Sequence, residues 1–155
     1  MVRWNDGLVG GLAAGCVVAL FYAIVSVAWL HETTLAGFFA GIASGVIHGD
    51  AHLEKNPWAV LCGTGLHFLA AAIFGMAYAL PAAHLAFMRR APYSVVCGLA
   101  YGLAVWFVLN DVLVPLLGVA SSQPLWEGLL ANMVFYGLVL SEYMTVAHRR
   151  SAATT

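Results

Sequence analysis

His67 is the clearest candidate for chemistry in this chain. It stands in the apolar stretch Trp58-Ala-Val-Leu-Cys-Gly-Thr-Gly-Leu-His67-Phe-Leu, about nine residues from its start. That is about 14 Å along a helix rising 1.5 Å per residue. An imidazole at such a depth can ligate a tetrapyrrole, pass a proton, or line a cavity for a polar substrate. It can equally stay neutral, bond Asn132, Tyr136 or a backbone carbonyl, and hold helices in register. A bis-His haem needs a second His at similar depth, and His31, His48, His52 and His84 all fall at or beyond the edges of apolar runs. Single-His ligation of a tetrapyrrole at His67 is therefore the one cofactor chemistry considered, and no cofactor is predicted.

Trp106, Asn110, Asn132 and Tyr136 are the other polar or amphipathic residues spaced to join His67 in one pocket. Asp111 and Glu127 fall near the same depth, where the simplest expectation is a hydrated carboxylate at the interface. Glu142 falls near the opposite end, suited to snorkelling or to pairing with Arg149, Arg89 or Arg90. His48-Gly-Asp50-Ala-His52-Leu-Glu54 gathers four potential metal ligands in seven residues. His and carboxylate suit Zn²⁺ or Cu²⁺, but a solvated loop explains the cluster more simply, and no tightly bound metal is expected. There is no nucleophile elbow, phosphate loop or paired catalytic motif, so no enzyme is expected.

The elements that must position these residues follow from composition. The chain of 155 residues is 63% hydrophobic and 8% charged, where a soluble domain carries about 25% charged residues. Four apolar runs, at about 7–30, 58–80, 93–116 and 125–146, each reach the roughly 20 residues that a spanning helix needs. The first is too long for the apolar core of a cleaved signal peptide. Net charge is −1, which points to no nucleic acid. Of the six basic residues, Arg3, Arg89, Arg90, Arg149 and Arg150 fall on one side of these runs, and Lys55 on the other. Positive charge favours the cytoplasm, so both termini are expected inside and the loop 48–57 outside.

Glycines share helix faces at multiples of four residues: Gly7, Gly11 and Gly15 in run one, Gly63 and Gly75 in run two with Ala71 and Ala79 on the same face, Gly98 and Gly102 in run three. Small residues at this spacing let helix backbones approach closely, which matters in lipid because association there relies on van der Waals packing. The segment 35–47 is apolar but too short to span, so a re-entrant or interfacial helix is expected. Cys16, Cys62 and Cys97 lie inside the runs without metal-ligand spacing and behave as small hydrophobes.

From run two onward the residues Trp58 to His67, Tyr78, Arg89-Arg90-Ala-Pro92, Gly98-Leu-Ala-Tyr101-Gly102-Leu-Ala-Val-Trp106, Asn110 and Pro115 resemble a family of small bacterial inner-membrane proteins. That family is loosely YagU-like, with four spans and no assigned activity, and the likeness covers about 58–150. The family pattern carries a His in span four near where Asn132 stands, so this chain offers His67 no second intramembrane His. The resemblance implies a multi-pass protein of the bacterial cytoplasmic membrane.

The fold expected is all-α: a four-helix transmembrane bundle, one domain over residues 1–155, with the short helix between spans one and two. Two functions fit it. One is a non-catalytic accessory subunit packed among other membrane protein subunits, the glycine stripes serving as helix contacts. The other is a small oligomeric transporter or channel, with a polar site around His67, Asn110 and Asn132.

Overall fold

Each apolar run becomes one helix, because in lipid every main-chain N–H and C=O must find an internal partner. The computed structural model describes residues 4–47, 53–117 and 124–153, and no strand occurs among them. Helices α1 (Trp4–Trp29), α3 (Pro57–His84), α4 (Tyr93–Leu116) and α5 (Leu125–Ser151) are long and apolar enough to cross a membrane. At 24 to 28 residues each they run about 36–42 Å, against a hydrocarbon core of about 30 Å. The chain is an all-α four-helix bundle fit for a membrane. Helix α2 (Leu35–Ala43) lies between α1 and α3.

The boundaries follow local chemistry. Asn56 caps α3 by accepting from the Trp58 amide at 3.0 Å, and Pro57 takes the first helical position, where its missing N–H costs nothing. Pro81 does not end α3, contrary to the range read from the sequence; the helix continues to His84. Pro81 gives up only its own donor, and its carbonyl still accepts from the Leu85 amide at 2.8 Å. Arg89 then caps the end, donating from one guanidinium nitrogen to the carbonyls of Ala82 and Ala83.

Helix α2 is shorter than the apolar segment that encodes it. Thr34 opens it by accepting from the Gly37 amide at 2.9 Å. It closes at Ala43, where the Ser44 hydroxyl donates to the Gly41 carbonyl at 2.6 Å and draws the chain into a turn. Nine residues reach about 13 Å, so α2 does not span. It packs on α3 through Gly63, where an added Cβ would run into the Phe39 carbonyl.

Glycines mark where the long helices meet. Gly7, Gly11 and Gly15 of α1 face Ala71, Gly75 and Ala79 of α3; an added Cβ on Gly7 would lie 2.7 Å from the Ala79 Cβ, and one on Gly15 2.7 Å from the Ala71 Cβ. Gly98 and Gly102 of α4 face Asn132, Gly137 and Ser141 of α5 in the same manner. The two seams join through α1 and α5, where the Phe21 and Phe135 rings stack with centroids 4.6 Å apart. Tyr78, Leu140 and Met144 fill the centre. Trp29, Trp58 and Trp126, all exposed, ring the end that carries α2, which is the outer end on the charge expectation above, and Trp4 marks the opposite one. That is the aromatic belt of a membrane interface.

Candidate functional site

His67 lies on α3 where α1 and α2 converge on it. Its Nε2 is 2.9 Å from the Gly15 carbonyl of α1. A carbonyl only accepts, so Nε2 carries the proton and donates. The rings of Phe38, Phe39 and Phe68 surround the imidazole at centroid distances of 6.0, 5.8 and 5.1 Å. Of the partners that the sequence allowed, the bond goes to a backbone carbonyl and not to Asn132 or Tyr136. Axial ligation of a tetrapyrrole through Nε2 would require that bond to break. An interhelical hydrogen bond in lipid is worth about 0.6–2 kcal/mol. His67→Ala is therefore expected to lower thermal stability in detergent by about that amount. His67→Gln, which keeps an N–H donor, should recover most of it.

The other expected members gather elsewhere. Trp106, Asn110 and Asn132 belong to the α4–α5 seam, where the Trp106 indole nitrogen would lie 2.7 Å from a Cβ added to Gly128. The side-chain amides of Asn110 and Asn132 turn back on their own helices, donating to the Trp106 carbonyl at 3.1 Å and the Gly128 carbonyl at 2.9 Å. Tyr136 donates to the Ala71 carbonyl of α3 at 2.6 Å, one turn inward from His67. The residues grouped as one pocket thus divide between the α1–α3 and α4–α5 seams, with Tyr136 the bridge between them. Glu142 is exposed and accepts from the Ser94 hydroxyl at 3.4 Å. Asp111 is exposed.

Glu127 departs most from expectation. It sits two residues into α5, close to the outer end, yet is only 1% exposed. Ser26 of α1, 4% exposed, donates its hydroxyl to Glu127 Oε2 at 2.7 Å. Glu127 Oε1 is buried with no hydrogen-bond partner. Tyr22, one turn further along α1, lies within electrostatic range of the carboxyl and stacks on Phe38 at 4.6 Å. The Ser26 hydroxyl and Tyr22 approach the carboxyl from α1, and at the next residue Gly128 gives Trp106 of α4 room to pack. The position at the N-terminus of α5 places the carboxyl at the positive end of the helix dipole, which favours negative charge by about 0.3–1 kcal/mol. One hydroxyl bond and that dipole stand against the several kcal/mol that burying an ion costs.

The main chain around this site is also unusual. Residues Ala23–Trp29 of α1, Val108–Leu113 of α4 and Ala131–Leu138 of α5 are wound as π-helix. Such wide turns are rare and concentrate at functional sites. All three occur toward the outer end or middle of their spans, and the first carries Ser26. Further inward stand the hydroxyls of Tyr136 and Tyr101. They donate at 2.6 Å to the carbonyls of Ala71 and Phe74 on α3, and the Tyr101 ring lies 4.9 Å from that of Tyr78.

Among the described residues no three His, Cys, Asp or Glu side chains come together to hold a metal. His48, Asp50 and His52 lie outside the described residues; Glu54 is exposed. Cys16, Cys62 and Cys97 are free thiols. No family model, curated protein or solved structure matches this chain.

Proposed function

We propose that this chain is a small, non-catalytic transporter or channel of the bacterial cytoplasmic membrane, working as an oligomer with both termini inside, and that its polar site lies where the outer ends of α1 and α5 meet. The observation that carries this reading is Glu127, enclosed near the outer end of its span with one carboxyl oxygen bonded to Ser26 and the other without a hydrogen-bond partner. Ionisable groups within membrane spans are costly and mark ion or substrate pathways. A purely structural role would be served as well by an apolar residue of like volume. The centre of the site differs from the group His67, Asn110 and Asn132: those side chains are bonded within the packed seams, whereas Glu127 keeps a free acceptor. The resemblance to small four-span proteins of the YagU-like kind supports the fold and the membrane and suggests no activity.

The test is reconstitution. Purified protein in proteoliposomes should pass protons or small monovalent cations down an imposed gradient, and Glu127→Gln should cut that flux at least tenfold while keeping the parent's oligomeric state by native mass spectrometry. Flux equal in parent and variant, or none in either, defeats the proposal.

The second reading, an accessory subunit in a larger membrane assembly, draws on α4. This helix is the least buried of the four, and Val96, Leu103 and Phe107 are exposed along it. The glycine stripes are used inside the chain, so they no longer argue for a partner, but the α4 face is open to lipid or to another helix. Gentle solubilisation decides: co-purification of other polypeptides in fixed ratio favours the subunit, and a homo-oligomer favours the transporter.

A further inference from the structure

Resting on that reading, we infer that the species taken up at the site is the proton, held on the Glu127 carboxyl and exchanged with water at the outer face. The enclosure selects the occupant. At 1% exposure the Glu127 side chain is closed to a hydrated metal ion or an organic ammonium. A proton needs no added space. An ionised carboxylate offers only acceptors, whereas a protonated one presents an O–H donor and fewer acceptor sites to satisfy. Oε1, buried without a partner, suits the protonated form better than a bare anion. Among the described residues no Lys, Arg or His forms an ion pair with Glu127, so no fixed cation substitutes for the proton.

The surroundings leave a short way in. Glu127 is two residues from the start of α5, about 3 Å along the helix axis, and Ser26 is three residues from the end of α1. From α1 the titratable group facing the carboxyl is Tyr22, with the Ser26 hydroxyl beside it. From α4 Trp106, which does not titrate, packs on the neighbouring Gly128, and α2 reaches the cluster through Phe38 against Tyr22. The exchange balances simply. A hydronium at the outer face gives up one proton, the carboxylate forms one O–H bond, and a water molecule is returned; release reverses each step. The Ser26 hydroxyl serves both forms, donating to the ionised oxygen and accepting from the protonated one after rotation.

Infrared difference spectra of the protein in lipid, recorded between acid and alkaline buffer, read this directly. The parent should show a carbonyl stretch of a protonated carboxyl that appears in acid, disappears in base and shifts in deuterium oxide. Glu127→Gln should lack that band, and Ser26→Ala should move its frequency by removing the hydrogen bond. A band that survives in Glu127→Gln, or no pH-dependent band in the parent, overturns the inference. Should Glu127→Gln fail to fold, Ser26→Ala still decides, since an unmoved band cannot belong to Glu127. The outcome is separable from the transport reading. A Glu127 band in protein that conducts nothing leaves the proton site standing and removes the transporter. Flux without the band keeps a transporter whose substrate is not handled by Glu127 as a proton.

Discussion

Gly75→Leu is expected to abolish the folded protein, and Gly75→Ala to weaken it severely. A Cβ on Gly75 would point into the backbone of α1, toward the Gly7 carbonyl and 2.8 Å from the Gly11 nitrogen. No rotamer relieves a clash with main chain, so α1 and α3 must separate. Overpacking a core typically costs about 1–3 kcal/mol. The loss here should reach or exceed the top of that range for Leu, because close packing is most of what binds helices in lipid. Gly11→Leu tests the same seam from α1, since a Cβ there would meet the Ala71 carbonyl. Gly65 is the control: a Cβ there meets nothing within 4 Å, so Gly65→Ala should stay within about 0.5 kcal/mol of the parent. Size-exclusion profiles and melting temperatures in one detergent compare the three. A monodisperse Gly75→Leu protein melting with the parent would show that α1 and α3 do not meet as described.

The second large effect is expected at Tyr136. Its ring is 4% exposed, and its hydroxyl donates to the Ala71 carbonyl across the bundle. Tyr136→Ala removes a buried aromatic and leaves a cavity, a change that costs about 3–5 kcal/mol for large aromatic residues. Tyr136→Phe removes only the hydroxyl, and the Ala71 carbonyl sits within the continuous helix α3. The loss should be about 0.6–2 kcal/mol, as for other interhelical bonds in membranes. Reversible unfolding in mixed micelles gives both values. If Tyr136→Phe costs as much as Tyr136→Ala, the hydroxyl and not the ring joins α5 to α3.

The sequence by itself determined the spans and their number, because lipid imposes one requirement on all of them: about 20 apolar residues with the main chain satisfied internally. Spacing-four glycines announced close helix contacts, although not which helix each would meet. Sequence alone also indicated that the segment after α1 is too short to cross, although the Ser44 bond that ends α2 at Ala43 needed the local geometry to be seen. It isolated His67 as a polar residue inside a span but could not name its partner, since the Gly15 carbonyl is a main-chain atom 52 positions away and carries no side-chain signature. Glu127 is legible as a lone acid at the start of an apolar run, and the sequence alone makes it a hydrated carboxylate, because depth counted along one helix says nothing of what covers its end. Its enclosure involves Ser26, 101 positions earlier. The π-helical turns of α1, α4 and α5 are likewise not specified by residue type. Hydropathy is summed along a chain and so fixes what enters the membrane; enclosure of a single carboxyl is a property of several helices at once, and only the tertiary structure decided it.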